Sequence, residues 1–471
     1  VNVVGSKIYR QAEQWNNHGQ RQGRGQECEA VRSAVGGCGR LDHRGTVSVR
    51  WGSGQQMAPR PARLQDPMGT EYFRLHPWIG VLSNLPVTAG VAAMLLLAWD
   101  PFRIQLERRP VLWTGALFVA TRLLFLALVV GLFGHVSLDL TTYFEAQGRA
   151  VLSGQMPYRD FACSYAPLFP FVMAPATLLP WPIPAIFLLF VAFDLITLVT
   201  VGRMAGTAAD GARAGWLYAA APITWYFLVR YGQDEALSAA ILTLAALALR
   251  QGRALRSGLL LGLGFCVTKF TFGLALPPFW LVSRARSRLS LGVFLPVVGI
   301  FGLALLAGLP VWQPLLGESA ELGFGPSLWR LPVLFTPLVL GRWAALILAA
   351  GLGAAWWWFA KRAWEKGLDA GLVLTAAVFL LLSPKVLPMY LTPFWPFAAL
   401  WAAKRDDRTD LWLLAALNLF LGIWWYVDAG GVQGMFGPVV SALAVGVTGA
   451  IPILLLFLIR RLLTREPTRA S

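Results

Sequence analysis

Apolar residues run along most of this chain in long blocks, parted by short basic or Gly- and Pro-containing joints, with no period-2 alternation inside the blocks. Such blocks predict helices near the ~20 residues that carry an α-helix across a bilayer, not the alternating strands of an outer-membrane barrel. They fall at about 80–99, 111–134, 184–202, 213–229, 290–309, 341–360, 386–403, 411–427 and 439–459, with shorter ones at 235–249 and 368–382. The expectation is an all-α polytopic membrane helix bundle of about 10–13 transmembrane helices, with interfacial helices in the first extracytoplasmic loop.

Composition strengthens that picture. The chain has 471 residues, 56% of them hydrophobic and 14% charged, and a mean hydropathy of +0.58. A soluble chain of this kind would expose too much apolar surface. A net charge of +16 would point to nucleic acid in a soluble protein. Here the Lys and Arg sit between apolar blocks, at Arg103/Arg108/Arg109, Arg203/Arg213, Arg250/Arg253/Arg256, Arg284/Arg286/Arg288, Lys361/Arg362/Lys366, Lys404/Arg405/Arg408 and Arg460/Arg461/Arg465. That is the positive-inside pattern, and no nucleic-acid partner is expected. The four Cys and four His are scattered without metal-ligand spacing. No cofactor is required by the pattern; a divalent metal is compatible with it but not indicated. Residues 1–77 are basic, Gly-rich and aperiodic, lack the apolar core of a signal peptide, and begin with Val. They are expected to be a disordered or over-extended leader, with initiation near Met68 or Met94, ahead of a membrane domain at 78–471.

With the seven basic clusters on the cytoplasmic side, nearly every block alternates correctly. Residues 257–281 break the alternation, because arginines flank them on both sides. Their "GLGFCVTKFTFG" sets glycines around an apolar-embedded Lys269. Two half-length helices that enter and leave on the same side remove the conflict, and such broken backbone is tolerated only where protein or a cavity shields it. The block at 80–99 would leave a basic N-terminus outside, which argues either against the leader as a genuine part of the protein or for 80–99 as non-spanning. The polar segments 135–165, "RYGQDE" (230–235), 311–330, "SPK" (383–385) and "YVDAGG" (426–431) then share the extracytoplasmic face.

Among these, "DLTTYFEAQGRAVLSGQMPYRDFACSYAPLFP" (139–170) is a polar island between apolar blocks. Asp139 directly follows the block 111–134. A carboxylate there suits a general base tuned toward neutrality, while position alone favours a helix N-cap formed by Ser137 or Asp139. Residues 143–152 read as an amphipathic helix lying in the interface, stopped by Gly154, after which "MPYRDF" turns the chain back.

The acid at the end of the first core helix, followed by "G..PYRDF...YAPLFP", by "YGQDEALSAAILTLAALALRQGRALRSGLLLGLGFCVTKF" and by "LLLSPKVLPMYLTPFWP", resembles the GT-C superfamily of integral-membrane glycosyltransferases. The likeness covers about residues 110–400 and is greatest to bacterial enzymes that use a polyprenyl-phosphate sugar, the mannosyltransferase branch in particular. It implies inverting transfer from a polyprenyl-phosphate-linked sugar to an acceptor hydroxyl, with a lipid or glycan as acceptor. The site would lie on the extracytoplasmic side of a multi-pass plasma-membrane protein. Asp139 matches the family's catalytic base. Many relatives carry two acids near that motif, whereas "SLDLTT" has one, with Glu145 six residues on.

A departing phosphodiester needs cations at membrane depth, where desolvation strengthens the pairing. The candidates are Arg159, Arg230, Lys269 and Lys385, with Arg122 deeper in the first core helix. Snorkelling to lipid head groups accounts equally well for Arg159, Arg230 and Lys385; Lys269, in mid-segment, is costly without a partner. Tyr143, Glu145, Tyr158, Tyr165, Gln233, Asp234 and Glu235 are candidates to line the sugar and acceptor region. A polytopic transporter or lipid flippase is the competing class. Transporters commonly repeat their broken helices in two halves, and the break at 257–281 has no evident counterpart.

Overall fold

The computed structural model describes residues 85–132, 137, 139–312, 314, 325–330, 341–425 and 437–464. The expected leader at 1–77, most of 311–330 and the "YVDAGG" segment lie outside the described residues. Every named element in the described part is a helix, and no strand occurs among the described residues.

Among the described residues, five helices are long and apolar enough to cross a membrane: Pro110–Gly131, Pro182–Met204, Arg286–Leu306, Trp343–Ala360 and Ala442–Thr464. A sixth span arises if Leu85–Ala98 and Asp100–Arg108 are counted together, but they bend by 91° at Trp99. The block at 411–427 forms one shorter helix, Arg408–Trp424, whereas three other blocks are subdivided, and their sequences show why. The block at 213–229 breaks at Ala221, because Pro222 cannot continue the preceding helix and instead opens Pro222–Tyr231. The block at 386–403 begins as a tight 3₁₀ segment, Pro388–Phe394, before Trp395–Arg405. In 257–281 the chain forms two short apolar helices, Ala254–Val267 and Phe270–Val282, parted at Thr268 and Lys269.

Two kinds of contact hold the bundle. The first is close backbone packing at small residues. A Cβ on Gly258 would stand 2.1 Å from the Leu289 carbonyl oxygen, and one on Gly292 would stand 2.4 Å from that of Leu255. The helices Ala254–Val267 and Arg286–Leu306 therefore touch almost main chain to main chain. The outer face of Arg286–Leu306 is bare and apolar, with Leu291, Phe294, Leu295, Val298 and Leu306 all exposed, as lipid contact requires.

The second is a buried polar clamp between two of the long apolar helices. Arg122 is fully buried, and its Nε lies 2.7 Å from Asp194 Oδ2. Its other nitrogens donate to Thr121 Oγ1 at 2.8 Å, Thr224 Oγ1 at 2.9 Å and the Ala219 carbonyl. Tyr218 closes the network by donating to the second Asp194 oxygen. A guanidinium in an apolar interior is tolerated when each donor has an acceptor, and here the acceptors come from four helices.

The charged clusters gather at one end. Asp369 binds Arg250 and Lys404, while Asp410 binds Arg405 and Arg461. Asp406 meets both Arg103 and Arg213. The helices Glu235–Arg250, Ala363–Leu382 and Trp395–Arg405 run between this basic end and the end that carries "YGQDE" and "SPK".

Removing one partner of a buried ion pair leaves an uncompensated charge. Arg122→Met is expected to lower the unfolding stability of the detergent-solubilised protein by about 3–5 kcal/mol. Arg122→Met combined with Asp194→Leu should recover most of that loss; equal damage from the single and the double variant would refute the clamp.

Candidate active site

The site is built outward from Lys269. Helix Ala254–Val267 ends at Thr268, and Lys269 is extended, with φ −89° and ψ 153°, before the next helix begins. The break leaves main-chain groups that must be satisfied at depth, and the polar island supplies them. Ala166 N–H donates to the Thr268 carbonyl at 3.0 Å, and Leu168 N–H donates to that of Cys266 at 3.0 Å.

The "PYRDF" turn positions that docking segment. Tyr158 takes a left-handed φ of 65°, a conformation uncommon for a bulky residue. Its N–H donates to the Phe161 carbonyl at 3.0 Å, and its buried hydroxyl donates to the Tyr165 carbonyl at 2.5 Å. Asp160 accepts from Met156 N–H at 2.8 Å and pairs with Arg159 at 2.9 Å. The hydrogen bond from Arg159, helped by the one from Met156, holds the Asp160 carboxyl down at about 2. Tyr165, thus fixed, stacks on Phe169 at 4.0 Å and presents its ring to Lys269 Nζ at 5.4 Å. Tyr390 faces the same ammonium at 5.3 Å.

Two carboxylates neutralise Lys269. Nζ donates to Glu235 Oε1 at 2.6 Å and lies 2.9 Å from Asp234 Oδ1, the latter a contact of charges without hydrogen-bond geometry. Both acids open the helix Glu235–Arg250, where its N-terminal dipole favours negative charge. They reach that position because Gly232, with φ 61°, ends Pro222–Tyr231 in a left-handed turn. A Cβ on Gly232 would also strike the Leu140 side chain at 2.4 Å.

Leu140 follows Asp139, so the same turn brings the two motifs together. Gln233 Nε2 donates to Asp139 Oδ2 at 2.7 Å, across 94 positions of sequence. The Asp139 carboxylate thus faces Gln233, while Ser137 Oγ accepts the Asp139 N–H at 3.3 Å. Burial pushes the Asp139 carboxyl above its ordinary value of 3.8; Gln233 and Lys269 pull it down, and Asp234 pushes it up.

Asp139, Tyr165, Gln233, Lys269 and Lys385 line one cavity of about 730 Å³, with Tyr231, Tyr390 and Trp425 as aromatic walls. That volume suits a sugar-sized ligand among apolar walls with a few convergent polar groups. Lys385 is held by its own turn, in which Ser383 Oγ donates to the Lys385 carbonyl at 2.6 Å. A neighbouring segment braces this turn through Leu328 N–H and Trp329 Nε1, which donate to the carbonyls of Leu381 and Leu382.

Several expected residues stand elsewhere. Arg159 is 58% exposed and pairs with Asp160 in the turn, away from the cavity. Tyr143 is 41% exposed, and Glu145 pairs with Arg149 one helical turn on. Tyr158 is buried as a support for Tyr165. Asp234 is fully buried behind Lys269. Arg230 is also buried, its guanidinium over the ring of the cavity-lining Tyr231 at 5.5 Å. Tyr390 and Trp425 were not expected as wall residues; the only signal for Tyr390 is its place five residues after Lys385 in "SPKVLPMY".

Because folding raises the Asp139 pKa, the carboxyl favours the folded state below its unfolded value, and this contribution is lost as the pH rises through the folded value. Asp139→Asn keeps an acceptor for Gln233 and removes the charge. It should melt at a higher temperature than wild type at pH 7, and the difference should vanish below pH 3.8. A variant less stable at pH 7 would show that the carboxylate is not desolvated.

No curated protein and no solved structure matches the chain. Residues 164–384 match the model of glycosyltransferase family 87, a stretch that holds Tyr165, Gln233, Asp234, Glu235 and Lys269 and stops one residue short of Lys385. Asp139 precedes it. The match supports a glycosyltransferase, seated in a polytopic helical membrane protein.

Proposed function

We propose that the chain moves a sugar, mannose in the first instance, from a polyprenyl-phosphate donor to an acceptor hydroxyl with inversion at the anomeric carbon, and that Asp139 is the general base. The observation that carries this reading is the shared cavity. A desolvated carboxylate held by Gln233 and a cation, Lys385, line the same space of about 730 Å³. Asp139 takes the hydroxyl proton as the acceptor oxygen attacks the anomeric carbon. The carbon–oxygen bond to the phosphate breaks, and polyprenyl phosphate leaves with the electron pair. Burial, which lifts the carboxyl toward neutrality, makes it a better base for a weakly acidic alcohol.

Lys385 is the first choice for the developing phosphate charge, with Arg230 behind Tyr231. Lys269 is already matched to Asp234 and Glu235. Its role is to hold Tyr165 and the "GQDE" turn around the sugar. The basic clusters at the far end of the bundle are the basis for assigning the cavity to the extracytoplasmic face of the plasma membrane.

The test is transfer from polyprenyl-phosphate-mannose to a panel of lipid and glycan acceptors by purified protein. Asp139→Asn should lower the rate by ~10²–10⁴-fold without weakening donor binding. Full activity in that variant would remove Asp139 as base, and no transfer from any polyprenyl donor would remove the donor class. Lys385→Met should raise KM for the donor by roughly tenfold or more if it meets the phosphate; unchanged donor kinetics would move the phosphate to other cations.

A further inference from the structure

A second cavity, of about 580 Å³, lies at the opposite end of the helix Glu235–Arg250 from the catalytic one. Three irregular joints shape it: the turn at Gly252, the link Ser283–Ala285 between two helices, and the kink at Gly367, where φ is 72°. Arg250, Arg284, Lys366, Lys404 and Arg405 line it as cations, and Glu365 and Asp369 line it as acids. Five positive groups against two negative ones leave the lining at three positive charges. Asp369 fixes Arg250 and Lys404 on its two oxygens, with Lys404 Nζ at 2.7 Å, and Asp410 fixes Arg405 at 2.6 Å. Each buried carboxylate is shared by two cations, which orders both and offsets the charge of one. Leu249, Val282 and Trp401 supply apolar wall beside the charges.

We infer that this cavity binds the phosphate of an anionic lipid head group, with the acyl chains along its apolar wall. A basic pocket between membrane helices, formed at the end where the chain's cationic clusters gather, has the charge and the depth for such a ligand. Any phosphate monoester or diphosphate shares the recognising chemistry; the apolar wall favours the membrane source. The site is separate from the transfer reaction and does not rest on it.

The experiment uses the full chain in zwitterionic detergent, with retained lipid counted by native mass spectrometry. Phosphatidylglycerol should be held roughly tenfold or more tightly than phosphatidylcholine. Arg284→Glu/Lys366→Glu should abolish that preference. Arg460→Glu reverses one charge at the same end, outside the cavity, and should keep it. Equal retention of the two lipids would overturn the proposal, as would equal loss in the Arg460 variant. Inorganic diphosphate should displace phosphatidylglycerol. Diphosphate binding without any lipid preference would assign the cavity to a soluble phosphate and overturn its membrane source. If the double variant does not fold, Arg284→Gln alone should reduce the preference several-fold, and an unchanged preference there would count against the site.

Discussion

The arrangement rests on one ammonium group. Lys269 stands at the gap between two short helices in an apolar bundle, where an unpaired charge would be driven to neutralise or to unfold its surroundings. The chain meets that demand with Asp234 and Glu235 at distances of 2.9 and 2.6 Å and with the faces of Tyr165 and Tyr390. Each partner brings its own scaffold. The two acids need the left-handed turn at Gly232, Tyr165 needs the "PYRDF" knot, and Tyr390 needs the turn after "SPK". Three motifs distant in sequence are thus drawn to one point by the need to shelter one charge.

This accounts for the polar island. Its acids and bases are mostly spent on itself: Arg159 on Asp160, and Glu145 on Arg149. The exception is Asp139, which pairs outside its own segment, with Gln233. The rest of the island builds a compact loop that seats Tyr165 and covers the broken backbone after Val267. A self-paired loop tolerates solvent and head groups, whereas the carboxylate it leaves at the edge is the group available for chemistry.

Much of the fold was legible because hydrophobic length and loop charge are local signals. The break at 257–281 is the clearest instance, read from arginines on both flanks and a Lys among glycines, and the helices part at Thr268 and Lys269. Breaks made by a proline inside an apolar block were less legible, since Pro222 and Pro388 are also compatible with the ends of full-length spans. In the site, the order of motifs marked Gln233 and Lys269 as neighbours of Asp139. It could not show that Lys269 has two carboxylate partners, because side-chain pairing depends on how the turn at Gly232 aims the next helix. Asp194 escaped notice altogether, although a lone acid in one apolar block and a lone base, Arg122, in another form a pair that can be sought by composition alone.

The two main-chain bonds from Ala166 and Leu168 to the carbonyls of Thr268 and Cys266 at the helix break have a mechanical consequence. They stitch the loop to the hairpin as adjacent strands of a sheet are stitched, so the two move as one piece. To swing away like a flap, the loop would strand two carbonyls in a greasy setting, each at about 1–3 kcal/mol. The wall beneath Tyr165 is therefore stationary, and the size of molecule the chamber admits is set by fixed masonry on that side.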